Sequence, residues 1–402
     1  MIRILEFLIA IVLVVVIFVV VGLLLPSHRH VFNTTETSRP LPVVFDMLSG
    51  FKRFKDWSAI HGQDSKAQFS LSGPESGEGA QVDYTSNDPI IGSGSWHVSK
   101  IVPNDSITID VSNADYGTDK TMTFHFKKVG NQKMAVEITQ DYDVDYGWNL
   151  FGRYAGLYVT RSVGDPMKAG LASLNTLLAT IPKFDYTQLA VAPKIVKTPA
   201  ENLLVAPTKA KRANDEVQSA MTTQEKWLHQ VMDKNGLEAA GPLRVVTTDY
   251  GADVYSFDIA IPVRKTGSTQ APDAPAPQLD VKIDSTGGNP VKYVQTQPGT
   301  AITATYTGHM AQLAAIREAM KAWAAVHDDQ LADRPYELYN KGIATSFTTD
   351  GDFTLFWPLK SATATASPAA SPAASPASSD ASASSAASAS SAASAASTAS
   401  TK

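Results

Sequence analysis

The chain has 402 residues, 44% of them hydrophobic, with 34 Lys+Arg against 39 Asp+Glu and a formal charge of −5. At about 100–200 residues per domain, this length predicts two or three domains with real cores, and the charge balance offers no basic footprint for nucleic acid. The lack of cysteine excludes disulfides, thiolate metal sites, cysteine nucleophiles and a lipidated cysteine.

The first predicted element is apolar. From Phe7 to Leu25 no side chain is charged or hydrogen-bonding, and Ile4 and Leu5 precede Glu6. Residues 4–25 therefore reach the length of about 20 apolar residues that a helix needs to cross a hydrocarbon core. Many of them are β-branched and form helix poorly in water, but in lipid a helix is the way a lone segment satisfies its backbone. Pro26 ends the run. A cleaved signal sequence would have an apolar core of about 7–15 residues and a small-x-small site, and Val20-Val21-Gly22 makes a poor one, so a retained single-pass anchor is expected. Arg3 lies before the segment and Arg29 and Arg39 after it, so flanking charge does not orient it. The composition of the C-terminal tail favours an inner (cytoplasmic) membrane protein with its body on the extracytoplasmic side; the opposite orientation is the alternative.

Residues 27–181 form the first predicted domain. A strand from His30 to Thr37 leads into a short helix near Leu41–Gly50, with Pro42 in its first turn, where a missing N–H is harmless. Five or six strand-like runs follow, separated by turn signals. Met122, Phe124 and Phe126 alternate with Thr121, Thr123 and His125, as a half-buried strand requires. A helix from about Asp165 to Ala179 closes the domain, its apolar stripe carried by Met167, Leu171, Leu174 and Leu178. This order predicts a curved antiparallel sheet wrapped on one amphipathic helix. The space between them suits an apolar ligand, with Tyr84, Trp96, Phe124 and Leu171 as candidate lining residues; a filled core is the alternative for each. Asp141, Asp143 and Asp145 invite a calcium reading, but the loop motif fails because Tyr146 stands where it needs glycine and Gly152 where it needs glutamate. No histidine cluster, phosphate loop, dinucleotide fingerprint or nucleophile elbow is present. His28-Arg29-His30 is expected to meet lipid headgroups, and Gly92–Ser95 to form a turn or bulge.

Residues 182–199 read as a linker, and residues 200–360 as the second domain. Trp227 and Trp323 are 96 residues apart, as are Pro262 and Pro358, and each half reads strand, helix, strand, strand. An insertion around Ser268–Gln278 separates the halves. An internal duplication with one sheet and two helices is expected. Residues 361–402 are nearly all Ala, Ser, Thr and Pro and are expected to be disordered, having no large apolar side chain to bury.

Two regions are familiar. GPESGEGAQVDYTSNDPIIGSGSWHVSKIVPNDSI, and DYGWNLFGRYAGLYV from Asp145 to Val159, resemble the polyketide cyclase and lipid-transport branch of the START-like (SRPBCC) superfamily. That resemblance implies a helix-grip fold, shared by carriers, receptors and cyclases. AITATYTGHMAQLAAIREAMKAWAAVHDDQLADRPYELYNKG followed by DFTLFWPLK resembles the GyrI-like effector-binding domain. That second resemblance implies a cleft between two halves that takes amphipathic or cationic small molecules, with an acid among aromatic rings. Glu337 in YELY matches the acid. On a strand Tyr339 shares its face, and Tyr306, Trp323, Trp357 and Tyr255 are candidate walls. Rings and a carboxylate together suit a cationic amphiphile.

The expectation is thus an α+β chain: transmembrane anchor, START-like domain, duplicated GyrI-like domain and disordered tail. Its expected role is a membrane-anchored carrier or sensor of hydrophobic or amphipathic small molecules, with the lipid bilayer and that ligand as partners. No nucleic acid partner, cofactor, metal or catalytic residue is expected. Cyclase-like or hydrolytic catalysis is the alternative, and inhibition of an unspecified protein partner a third reading.

Overall fold

The first helix, α1, runs from Ile2 to Leu24 and so extends roughly 34 Å at about 1.5 Å per residue. Its length and composition suit a membrane span, and equally a signal sequence. The computed structural model describes residues 2–130, 134–268, 276–284, 288–332 and 334–360. The expected disordered tail and most of the expected insertion fall outside them.

Beyond α1, β1 (His28–Thr37) leads into three short helices, α2 (Leu41–Leu48), α3 (Phe54–Trp57) and α4 (Ala59–Gln63). Six strands follow: β2 (Gln68–Ser72), β3 (Gln81–Thr85), β4 (Ser93–Val102), β5 (Ser106–Asn113), β6 (Thr118–Val129) and β7 (Ala135–Asp145). All pair antiparallel in the order β1-β7-β6-β5-β4-β3-β2. The alternation legible in β6 and β7 places one face inward: Met122, Phe124 and Phe126, and Val136, Ile138, Gln140, Tyr142 and Val144, are buried. The chain then forms α5 (Leu150–Ala155), a 3₁₀ turn (Gly156–Tyr158), a π-helical turn (Thr160–Gly164) and α6 (Asp165–Thr180). Met167, Leu171, Leu174 and Leu178 of α6 are buried against β1, α3 and the sheet. An antiparallel sheet with an amphipathic helix packed on it, as predicted, is the arrangement observed.

The second sheet contains β8 (Lys194–Thr198), β9 (Asn202–Lys211), β10 (Leu237–Ala239), β11 (Arg244–Tyr250), β12 (Val254–Lys265), β13 (Lys292–Gln295), β14 (Gly299–Thr307), β15 (Tyr336–Tyr339) and β16 (Asp352–Pro358). It carries α7 (Asn214–Asn235), α8 (Leu313–Val326) and the short α9 (Gly342–Ser346). Its order is β13-β9-β12-β11-β15-β16-β14-β8, with β10 on β12.

Residues 182–199 are not a bare linker. Tyr186 is buried and donates to Asp46 Oδ2 at 2.6 Å, and Lys194–Thr198 forms the edge strand β8 against β14. A linker is expected wherever periodicity is lost, but here one side chain and one edge strand suffice to dock the segment. The two sheets also share a core. Ala319, Ala322 and Val326 of α8 join the apolar cluster of the first sheet. Arg53 donates to the Ala325 carbonyl and faces Asp328 at 3.6 Å.

This junction makes a pH prediction. Burial raises the Asp46 carboxyl above its ordinary value, against the lowering effects of the Tyr186 hydroxyl and of His327; Asp185 adds to the rise. A carboxyl raised on folding contributes stability that is complete below its unfolded value of 3.8 and is lost as pH rises through the folded value. Asp46→Asn keeps an acceptor for Tyr186 without the charge. It is expected to flatten the stability–pH curve above pH 4 and to raise stability at pH 7. Urea denaturation from pH 4 to 8 checks this; an unchanged curve would count against it.

Candidate functional site

Beneath α3, α4 and α6 the first sheet is not completely filled. A cavity of 170 Å³ lies between Trp57 of α3, Tyr84, Trp96, Met122, Gln140 and Tyr142 on four strands, and Met167 and Gly170 of α6. Its rings form a connected wall: Trp57 and Trp96 are 6.3 Å apart, and Phe54 packs edge-on to Trp96 at 4.9 Å. The π-helical turn contributes Ser162 and Val163 at the rim. Such turns widen a helix by one residue and are frequent at functional sites.

Two buried polar atoms here lack a protein partner, the Trp57 indole Nε1 and Gln140 Oε1. Both residues are nearly inaccessible, at 3% and 2% exposure. A buried polar group left unpaired costs about 1–3 kcal/mol, so a donor and an acceptor both orphaned beside one cavity are unusual. Gln140 also donates from Nε2 to Met122 Sδ at 2.7 Å. At the rim Asn113 is bonded to the Tyr84 hydroxyl, which burial holds above its ordinary pKa. Asn113 also donates to Asp115 at 2.9 Å and accepts from the buried Lys120 at 2.6 Å. Burial likewise raises Tyr142.

Of the four candidates in this domain, Tyr84 and Trp96 line the cavity, whereas Phe124 and Leu171 are buried core side chains outside its lining. Sequence reasoning missed Trp57 and Gln140. Gln140 was detectable as the one amide on the apolar face of β7, but Trp57 reaches the site only because α3 folds back over the sheet.

In the second domain Glu337 and Tyr339 do share a face, and both are buried, at 0% and 2% exposure. The partner of Glu337 is a protein cation. Arg317 Nε donates to Glu337 Oε1 at 2.7 Å and Nη2 donates to Thr247 Oγ1 at 2.9 Å. Thr247 Oγ1 in turn lies 3.0 Å from the Tyr255 hydroxyl. Burial pushes the Glu337 carboxyl up, and Arg317 only partly offsets this. Burial opposes the Arg317 charge, but Glu337 and the neighbouring tyrosines hold its proton more firmly than usual. Burial and the Glu337 charge push Tyr255 up to about 12. A cleft of 220 Å³ touches Tyr255, Arg317, Arg212, Met310 and Phe347, while Glu337 and Tyr339 lie outside its lining.

The acid expected to meet a cationic ligand is thus already neutralised. Its signal was present in the sequence: Arg317 falls in the apolar stripe of α8, between Leu313 and Met320, where a cation needs a buried counter-charge. The remaining expected walls are elsewhere. Tyr306 stacks on Phe353 at 6.1 Å. Trp357 donates to the Ala332 carbonyl at 3.0 Å with Lys321 above its ring. Trp323 stacks on His327 at 4.0 Å, at the junction of the two cores. His28 and His30 pair with Asp143 and Asp141 across β1 and β7 at 3.1 and 3.2 Å, and both rings remain about half exposed. Among the described residues no group of three His, Cys, Asp or Glu is placed to hold a metal.

No family model matches the chain, and no curated protein does. Among solved structures, the C-terminal domain of EcmrR is similar at 14% identity, covering 43% of this chain and 99% of that one, with a TM-score of 0.33. A START superfamily protein from Mycobacterium smegmatis is similar at 14% identity over 38% of this chain and 97% of that one, TM-score 0.29. A hydrolase from Listeria innocua is similar at 14% identity over 42% and 91%, TM-score 0.29. At these scores the likenesses bear on neither ligand nor activity.

Proposed function

We propose that this chain is a membrane-anchored binding protein for small amphipathic molecules and that the cavity of its first domain is the binding site. The pair of orphaned polar atoms on residues that line an aromatic cavity, Trp57 Nε1 and Gln140 Oε1, carries the reading. Both atoms are closed to solvent, so a ligand with an acceptor and a donor would satisfy them by turning the two side chains toward the cavity, while its apolar part packs on Trp96, Met122 and Met167. At 170 Å³ the space is close to the roughly 150 Å³ that holds a benzene-sized molecule and below the roughly 300–1,000 Å³ of drug-sized sites. The ligand class is therefore a compact ring, or one short chain, bearing a hydrogen-bonding head. With the short β10 and α9 set aside, the strand–helix–strand–strand order of β9-α7-β11-β12 and β14-α8-β15-β16 supports an origin of the second domain by duplication, and that domain serves as a packed support.

The test is calorimetric titration of the detergent-solubilised full chain with indoles, phenols and medium-chain alcohols. At least one class should bind, and Gln140→Met or Trp57→Phe should weaken it about tenfold, the equivalent of one hydrogen bond of roughly 1.4 kcal/mol. If folded protein binds none of these probes, or both variants bind as tightly as the parent, the cavity is not the site.

A further inference from the structure

Between the first sheet and α6 the chain makes a detour that the cavity alone does not require. Residues 148–158 turn back along α1. Tyr154 stacks on Phe18 at 4.6 Å and donates from its hydroxyl to the Phe18 carbonyl at 2.9 Å. Phe151 also meets Phe18, at 5.4 Å. Gly22 allows the approach: a Cβ there would lie 3.1 Å from Leu150 and 3.2 Å from Tyr154. Arg153, itself buried, donates to the Leu23 and Leu25 carbonyls at 3.0 and 3.1 Å. These carbonyls end α1 and have no partner within the helix.

This places α5 alongside the end of α1 rather than beyond it. Phe18 is six residues before Leu24, so its level is about 9 Å inside that end. The outer surface of the same segment is apolar and uncovered: Trp148 is 84% exposed, Phe151 66%, Leu157 51% and Tyr158 69%. Exposed apolar side chains scattered singly need no explanation, but four within eleven residues, continuous with a membrane-length helix, form a patch.

We infer that residues 148–158 are a second membrane element, seated in the interface of the same bilayer that α1 crosses, and that they set the entrance of the ligand cavity at the lipid surface. This inference rests on the membrane anchoring and the cavity proposed above. The bilayer is the occupant because the patch is continuous with α1, and its depth beside α1 matches the roughly 5–10 Å at which interfacial segments sit. Trp148 and Tyr158 are residue types that favour that depth, with rings in the acyl boundary and polar atoms toward water. The entrance follows from the next turn of chain. A recess of 290 Å³ lies between Tyr146, Ala155, Tyr158 and Val159. It shares Asp115, Tyr142, Ser162 and Val163 with the cavity. A small amphiphile dissolved in the bilayer interface thus has an adjoining route past the π-helical turn, without crossing water.

The cysteine-free sequence makes the test direct. Single spin labels are placed through Leu13→Cys, Trp148→Cys, Leu157→Cys and Ser72→Cys in the full chain, reconstituted in phosphatidylcholine–phosphatidylglycerol nanodiscs. Relaxation by oxygen, which partitions into lipid, is compared with relaxation by a water-soluble nickel chelate. Sites 148 and 157 are exposed, so labelling there leaves the core intact. The expected result is an oxygen-to-nickel ratio at 148 and 157 below that at 13, near the middle of α1, and well above that at the exposed Ser72 site. A nickel-dominated signal at 148 and 157 with a lipid signal at 13 overturns the inference and leaves the anchor standing. A water signal at 13 removes the anchor as well. Labels at 148 and 157 shielded from both reagents identify a protein cover, such as a second copy of the chain, and overturn the lipid seat.

Discussion

Replacing Arg317 with methionine is expected to destabilise the protein by about 3–5 kcal/mol, the usual cost of leaving one partner of a buried ion pair uncompensated. Glu337 is wholly inaccessible, and its second oxygen already lacks a partner. Without the guanidinium at 2.7 Å, burial acts alone on a carboxyl that it already raises. The acid then folds best when protonated, so stability is complete below its unfolded value of 4.5 and falls as pH rises through the folded value. The deficit of Arg317→Met should accordingly be smaller at pH 5 than at pH 8. The double variant Arg317→Met, Glu337→Leu removes both charges and should recover most of the loss, because a well-packed apolar pair often equals or exceeds a buried ion pair. Urea unfolding of the parent, both single variants and the double variant measures the coupling. A loss under 1 kcal/mol for the single variant would mean that water reaches the pair, and would reopen Glu337 as a ligand-facing acid.

Gly94→Ala is expected to cost about 1–3 kcal/mol, the range of overpacked sites, and to abolish ligand binding in the first domain. A Cβ at position 94 would lie 2.4 Å from the Ser112 carbonyl oxygen and 2.6 Å from the Tyr84 hydroxyl. Ser112 is held by the β4–β5 register, in which Gly94 faces Asn113 and Ser95 faces Ser112. Relieving the Ser112 contact requires the strand to shift at the expense of ladder hydrogen bonds, and relieving the Tyr84 contact requires its ring to leave the cavity wall. Gly62→Ala is the control: nothing lies within 4 Å of its Cβ in α4, and alanine favours helix. Denaturant midpoints and titration of the two variants check the prediction. If Gly94→Ala folds and binds normally, the wall of the cavity is softer than its geometry implies. The glycine-rich run 92–95 is therefore divided in role. Gly92 makes the expected turn at a φ of 60°, while Gly94 leaves room for a tyrosine.

The sequence by itself determined the elements whose signal is local. An uninterrupted apolar run sets α1, alternation sets β6 and β7, and the spacing of Met167, Leu171, Leu174 and Leu178 sets the buried face of α6. Each is a periodicity within one segment, and one segment is enough to express it. Two binding-site candidates, Tyr84 and Trp96, followed from the same alternation, because an inward residue on a concave sheet faces whatever space is there. Only the tertiary structure decided which inward residues line space and which fill it: Phe124 shares a strand face with Met122, yet only Met122 reaches the cavity. It also decided the fate of charges. Arg317 and Glu337 lie twenty residues apart on different elements, and neither segment alone encodes that they meet. The same holds for Tyr186 on Asp46 and for Tyr154 on Phe18, separated by 140 and 136 residues. Local backbone preference acts over a few residues, whereas pairing of buried polar groups is settled by which distant surfaces the fold removes from water together.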